Sequence, residues 1–391
     1  MRLIFIALSL LYMPDLGAQV KVISSTLVRT IGPLPYLEFG PGDDRLGGAK
    51  MTYLDSNVFL RVVDSMNGDY IVQLSDRHRA FIAKESVRVA VGSSMRGYSL
   101  SGTWKVYGDD RYDYLTVALQ EKLPYKSQMQ INPCRLVVDI FGVTSNTNWV
   151  TQLSSAKEIR NAWYEQVEDD VLRVHIDLRH ANHWGHSVYY DSSGNRLVVK
   201  VKRPPASKDI RKLRIAVDAG HGGSNTGASG LRTKILEKDY TLLMAKELGK
   251  RFRNSGIKNV FMTRTSDTSL DMRERILMLR KEDPDILLSI HLNSTSKESI
   301  SGTSTYYRHI GFRPLSERIL KRMLELGLTE FGNVGHFNFA LNGPTEYPNC
   351  LIEVAFLSNE SDERRITDPT FHRDVARKIH LGVRDWLKDM K

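Results

Sequence analysis

Leu213-Arg214-Ile215-Ala216-Val217-Asp218-Ala219-Gly220-His221-Gly222-Gly223 is the stretch that decides the fold of the C-terminal half. Its apolar run reads as a buried strand, and a glycine-rich turn follows at once with a histidine just past the strand end. Working outward, residues 238–253 place Met244, Leu248 and Phe252 at i, i+4 and i+8, the stripe of a helix. Residues 260–262 read as a strand and 270–281 as a helix. Residues 285–290 have almost no polar alternation, as buried parallel strands show. Residues 302–308 alternate like a strand, 314–331 read as helical, and 349–356 form another buried strand. The last helix opens on Asp368-Pro369, an N-cap followed by proline at the first helical position. Its core stripe is Phe371, Val375, Ile379, Val383 and Leu387. Strands alternating with helices predict an α/β domain over residues 213–391, a mostly parallel sheet covered by helices. By analogy with other open α/β sheets, its chemistry is expected at the C-terminal ends of the strands.

Four polar residues stand where that chemistry is expected. His221 follows the first strand, and His291 ends the run Ser289-Ile290-His291-Leu292-Asn293. Glu237 opens a helix, and Glu353 lies inside Leu351-Ile352-Glu353-Val354-Ala355. Each has an ordinary explanation when taken singly. Glu237 suits the dipole of a first helical turn, His221 suits a turn, and His291 could be a satisfied core histidine. Glu353 is hardest to dismiss, because a carboxylate buried unpaired costs several kcal/mol. Taken together, two histidines and one carboxylate suit zinc with a position left open for water. Bound zinc can lower the pKa of water from about 15.7 to roughly 7, and a nearby carboxylate can then serve as general base and general acid.

Five motifs in order carry a resemblance. They are Asp218-Ala219-Gly220-His221-Gly222-Gly223; Glu237-Lys238; Thr263-Arg264 with Asp267, Leu270 and Arg273; Ser289 to Asn293; and Glu353 with Phe356, Ser358 and Asn359. Over residues 213–387 the chain resembles the zinc-dependent N-acetylmuramoyl-L-alanine amidases of bacterial cell walls. The resemblance implies His221, Glu237 and His291 as zinc ligands and Glu353 as the catalytic carboxylate. It implies peptidoglycan as substrate, cut between N-acetylmuramic acid and L-alanine. It names no substrate-binding residue. Asn342 stands where such families often carry an arginine, which leaves substrate contacts there open. Some members insert a regulatory helix before the catalytic glutamate. Here residues 292–352 are used up by other elements, so an open site is expected. His309 and His336 read as surface histidines ahead of the alternative, a substrate or water contact.

The N-terminal half reads as two β domains. In residues 19–92, Val58-Phe59-Leu60-Arg61-Val62-Val63, Tyr70-Ile71-Val72-Gln73-Leu74 and Ala80-Phe81-Ile82 are strand-like. Asn67-Gly68-Asp69 and Ser75-Asp76-Arg77 between them are hairpin turn chemistry, so a small β-barrel is expected. Its spacing resembles bacterial Src-homology-3-like domains. Residues 98–205 carry strand-like runs at 114–119, 135–140, 172–178 and 197–201, and an antiparallel β-sandwich fits them. The pattern of residues 137–143, Trp149, Ile159, 174–178, His183-Trp184-Gly185 and 197–201 resembles the AMIN domain. That resemblance implies attachment to the envelope, with other envelope polymers or divisome proteins as candidate partners. His180, His183 and His186 lie on a loop-like stretch, so they read as packed or solvated rather than as a metal site. Two prolines stiffen the connection that follows, and residues 206–212 read as the linker.

Residues 1–18 read as a secretory signal. Arg2 precedes an eleven-residue apolar run, and Pro14-Asp15 break it before Leu16-Gly17-Ala18. Eleven helical residues span about 16 Å, too short for a hydrocarbon core of roughly 30 Å. Export to the periplasm or cell envelope is the expectation, with no transmembrane segment. The net charge of +10 is unchanged when the signal, with Arg2 and Asp15, is removed. Such charge favours anionic envelope polymers, and no motif supports nucleic acid. Two cysteines exclude a disulfide scaffold or a thiolate metal framework, and Cys134 and Cys350 fall in different domains. The rival functions are another zinc-dependent envelope amide hydrolase and a catalytically inactive wall-binding scaffold or activator.

Overall fold

The run that opens on Arg214 becomes an inner strand of a six-stranded sheet. The computed structural model describes residues 26–42, 46–92, 99–194 and 196–390, and the secretory segment at 1–18 lies outside the described residues. The sheet is built from β1 (Arg214–Ala219), β2 (Asn259–Met262), β3 (Ile286–Asn293), β4 (Thr303–Tyr306), β5 (Glu330–Val334) and β6 (Asn349–Phe356). Its order is β2-β1-β3-β6-β4-β5. The first four in that order are parallel, β4 runs antiparallel to β6, and β5 pairs parallel with β4. The mostly parallel sheet is therefore as expected.

Among the described residues five α-helices accompany the strands: α1 (Glu237–Asn254), α2 (Met272–Glu282), α3 (Arg313–Leu324), α4 (Glu360–Ile366) and α5 (Pro369–Asp389). The stripes read from sequence are buried, with Met244, Leu248 and Phe252 of α1 in one core with Val375, Ile379 and Val383 of α5. That core also takes Val217, Leu288, Ile290 and Ile352 from the sheet and Ile319 and Met323 from α3. One expected helix was too long. It ends at Leu324, Gly327 turns the chain at φ +71°, and residues 330–334 form edge strand β5. Phe331, which extended the apolar pattern, is exposed.

The opposite face of the sheet is covered differently. Ala216 and Leu287 meet Ile276 and Leu279 of α2, and Leu34 from the N-terminal region joins the same cluster, with Tyr53 packed against it.

That N-terminal region is a seven-stranded antiparallel sheet. Asn67-Gly68 makes the tight turn between Phe59–Met66 and Asp69–Gln73, with Asn67 at φ +52°. The barrel expectation meets an open ladder, which runs from Lys50–Tyr53 at one edge to Val87–Val89 at the other.

The middle segment forms two packed sheets, one of four strands and one of six, as a sandwich requires. Two short strands, Val143–Thr144 and Val150–Gln152, pair parallel to Ser99–Gly108, so the sandwich is not wholly antiparallel. Leu136, Val138 and Ile176 of one sheet meet Val106, Leu115 and Val199 of the other in a core that continues into Leu60 and Val72 of the first sheet. The two N-terminal segments thus share one core. On the solvent side, Arg135 stands opposite Asp177 and Arg173 opposite Asp139, and both pairs are ion-paired. Cys134 and Cys350 are both free thiols. Among the described residues no helix is long and apolar enough to cross a membrane.

Candidate functional site

Strand β1 ends at Ala219, and the chain must turn within two residues to present His221. The turn uses a left-handed backbone at His221, φ +61°. Gly220 is required here, since a Cβ would lie 2.4 Å from His291 Cε1. His291 projects from the end of the neighbouring strand β3, and Glu237 is the first residue of α1. Glu237 Oε1 lies 3.0 Å from His221 Nε2 and 3.1 Å from His291 Nδ1. One donor atom from each of the three lies within 4.8 Å of the others, and among the described residues this is the group assembled for a metal ion.

The three side chains are held from behind. His221 Nδ1 is 2.9 Å from Asn225 Oδ1, which leaves Nε2 facing Glu237. The Leu292 N–H donates to Glu237 Oε1 at 3.0 Å and the Ala228 N–H to Oε2 at 2.8 Å. Burial opposes the charge on Glu237, yet the two imidazoles hold its carboxyl well below the usual carboxylate range. Burial likewise opposes the charge on His221, but Glu237 and Asn225 outweigh it and raise its pKa above the ordinary imidazole value.

Beneath the turn sits a buried ion pair. Asp218 accepts from Arg275 at 2.5 Å, Ser289 Oγ at 2.6 Å and Thr263 Oγ1 at 2.7 Å. Arg275 also donates to the carbonyls of Ala219 and His221, and Arg264 to those of Ala219, Gly220 and Lys238. Asp267 accepts from the Gly223 N–H at 2.7 Å and from Lys238 Nζ at 2.6 Å. The turn that carries His221 is therefore fixed by charged side chains gripping its backbone. The sequence motif pointed to Arg273, which is exposed; the buried arginine is Arg275. Its signal was present, because position 275 falls on the same helix stripe as Ile276 and Leu279.

Glu353 is buried on β6 in register with His291 of β3, so the two share a face of adjacent strands. Ser304 of β4 flanks it on the other side. Tyr306, which sequence reasoning passed over, completes this wall, its hydroxyl pKa raised by burial and by the charge of Glu353. Phe339 lies beside His291, the two rings within 12° of parallel with centroids 6.5 Å apart.

Other candidate residues fall elsewhere. His180 pairs with Glu158, His183 Nε2 reaches Gln130 O, and His186 Nε2 reaches Ser127 Oγ. The three do not converge, and His183 and His186 are buried rather than solvated. His336 is exposed as expected. His309 is not a surface residue: it is half-buried, its ring bonds Gly343 O, and burial lowers its pKa to about 4. Asn342 is buried and donates to Tyr306 O and Asn349 Oδ1.

Residues 215–385 match the family model described as N-acetylmuramoyl-L-alanine amidase. The catalytic domain of CwlV, an N-acetylmuramoyl-L-alanine amidase from Bacillus (Paenibacillus) polymyxa var. colistinus, is 31% identical, covering 44% of this chain and 97% of that one, with a TM-score of 0.43. The chain belongs to the N-acetylmuramoyl-L-alanine amidase family. Residues 105–201, ahead of the amidase domain, match the AMIN domain model. The amidase of Clostridium difficile 630 is 28% identical, covering 45% of this chain and 96% of that one, with a TM-score of 0.42. The probable cell wall amidase LytH of Staphylococcus aureus is 35% identical over 190 residues, 48% of this chain and 60% of that protein. All four site residues read from sequence lie inside the matched amidase domain.

Proposed function

We propose that this chain is an exported peptidoglycan amidase. It hydrolyses the amide between the lactyl group of N-acetylmuramic acid and the L-alanine of the stem peptide. The observation that carries this reading is the convergence of His221, Glu237 and His291 within 4.8 Å, with Glu353 in register beside His291. Two imidazoles and one carboxylate fit a zinc ion that keeps a position for water. When bound there, zinc supplies Lewis acidity toward the scissile carbonyl and lowers the pKa of water.

The chain's own residues do the rest. Glu353 takes a proton from the attacking water and passes it to the leaving amine, so the C–N bond breaks and a neutral amine departs. Its place in register with His291 on the adjacent strand supports this double duty. Asn225 orients His221, and the backbone donors at Ala228 and Leu292 fix Glu237. The AMIN domain supports attachment to the envelope, and peptidoglycan is the polymer substrate.

The test is mass analysis of purified sacculi digested by the full chain, with and without a chelator. Stem peptides with a free L-alanine amino terminus should appear, and should vanish when metal is withdrawn. Glu353→Gln should keep its zinc and lose about 10²- to 10⁴-fold in rate. Release of some other fragment would assign a different envelope amide hydrolase. Intact sacculi in the presence of the zinc-loaded protein would leave a scaffold.

A further inference from the structure

One loop joins the N-terminal sheet to the active site. Residues 335–339 follow β5 and pass Tyr306. Phe337 and Phe339 have ring centroids 4.5 Å apart, and each lies 5.1 Å from Tyr306. Phe339 is the ring beside His291. Asn338, between them, is bonded to the N-terminal sheet. Its Nδ2 donates to Gly48 O at 2.7 Å, and its Oδ1 accepts from the Lys50 N–H at 3.2 Å. The Arg308 guanidinium donates to the same Oδ1 at 2.5 Å and also to Lys50 O. Lys50 begins the edge strand Lys50–Tyr53. The side-chain amide of Asn338 thus acts as a short stretch of strand, pairing with a sheet edge that would otherwise expose its backbone.

We infer that Asn338 is a positioning residue through which the N-terminal sheet sets the aromatic wall of the active site, and that Phe339 is the wall's contact with the muramyl part of the substrate. This rests on the amidase reading above. It gives the N-terminal sheet a second task besides any attachment to the wall: it shapes the site itself. A half-buried ring beside the ligands offers an apolar face to the carbon-bound hydrogens of a sugar ring, while the charged chemistry stays with Glu353 and the metal ligands. An attachment role would act only on polymeric substrate. A positioning role acts on any substrate that reaches the cleft.

The experiment uses the full chain loaded with zinc, and compares Asn338→Ala, Phe339→Ala and the double variant on sacculi and on a soluble muramyl peptide. Each single variant should raise KM about three- to tenfold on both substrates, with kcat within about twofold and zinc content unchanged. The double variant should be no worse than Phe339→Ala, because Asn338 acts through that ring. Asn338→Asp keeps the acceptor for Lys50 and Arg308 and should recover part of the loss. Amide hydrogen exchange over residues 335–339 should quicken in Asn338→Ala, a readout that stands whether or not the wild type cleaves muramyl amides. An unchanged KM on the soluble substrate, effects that multiply in the double variant, or unaltered exchange over 335–339 would each overturn the inference. A wild type that cuts no muramyl amide would instead overturn the functional reading.

Discussion

Replacing Arg275 with methionine should unfold the metal turn before it touches any ligand. The Arg275 side chain is 1% exposed, as is that of Asp218, its ion-pair partner. Methionine fills much of the same volume and removes every donor. Asp218 would keep only Ser289 Oγ at 2.6 Å and Thr263 Oγ1 at 2.7 Å, the His221 carbonyl would lose its anchor, and the Ala219 carbonyl would be left to Arg264. Breaking a buried pair from one side costs about 3–5 kcal/mol. For a domain of this size, at about 2–4 °C per kcal/mol, the melting temperature should fall by roughly 6–20 °C. Zinc affinity, measured by competition with a chromophoric chelator, should fall about tenfold or more, since supporting bonds behind a ligand carry that weight. Adding Asp218→Asn to Arg275→Met should restore part of the stability by removing the uncompensated charge. The pH dependence follows from the same pair. Burial works against the Asp218 charge, but Arg275 outweighs it and holds the carboxyl below its usual range. The pair's contribution is therefore complete above the unfolded pKa of about 3.9 and is lost as pH falls through the folded value, so wild type and Arg275→Met should converge in acid. A variant that melts within about 2 °C of wild type, or a double variant no more stable than the single, would refute the reasoning.

Three further perturbations probe neighbouring parts. Gly220→Ala should expel metal while leaving the fold largely intact, because the new Cβ would sit 2.4 Å from the His291 ring; zinc content after dialysis reads this directly. Asn225→Ala should weaken zinc binding by about 10- to 100-fold through loss of the bond that orients His221, with the melting temperature of the metal-free protein unchanged. Asp139→Asn should destabilise the AMIN domain by about 1 kcal/mol at neutral pH, discounted because its partner Arg173 is more than a third exposed. Burial opposes the Asp139 charge, and Arg173 and Lys126 hold its pKa below the usual value, so the difference from wild type should begin to shrink below about pH 4 and vanish as pH falls through the folded value in acid titrations of stability.

The parts of the molecule that were legible in the sequence are those set by local periodicity. The apolar run into Gly220 fixed a strand and its turn, and His221, Glu237, His291 and Glu353 could be placed at element ends before any contact was known. Strand β5 was missed because an exposed edge strand needs no alternation, and Phe331 extended the helical pattern instead. Arg275 was missed because a charge on an apolar helix stripe looks like an interruption until its partner is seen on β1. His183, His186 and His309 were read as loop or surface residues because their burial comes from contacts between segments far apart in the chain. Asn338 gave no signal at all, since its partners Gly48 and Lys50 lie 290 and 288 residues away.

Those long-range contacts change what the N-terminal half is for. A parallel sheet needs apolar cover on both faces. Helices α1, α3 and α5 cover one face; on the other, α2, eleven residues long, is joined by Leu341 and Tyr347, and Leu34 and Tyr53 of the N-terminal region extend this cover. Arg280 of α2 pairs with Glu346 at 2.7 Å and lies 5.5 Å from the Tyr53 ring. At the C-terminal end of the same helix, Asp283 pairs with Arg111 and with buried Lys202 of the AMIN segment. Trp184, also from that segment, packs against Trp386 of α5. A domain tethered only by the linker at 206–212 could not make these contacts. The surfaces expected to meet the envelope are therefore held at a fixed orientation to the catalytic cleft. The contacts that complete the core of the amidase domain also bring Gly48 and Lys50 to Asn338, so removing the N-terminal sheet would both uncover the second face of the catalytic sheet and release Phe339 from beside His291.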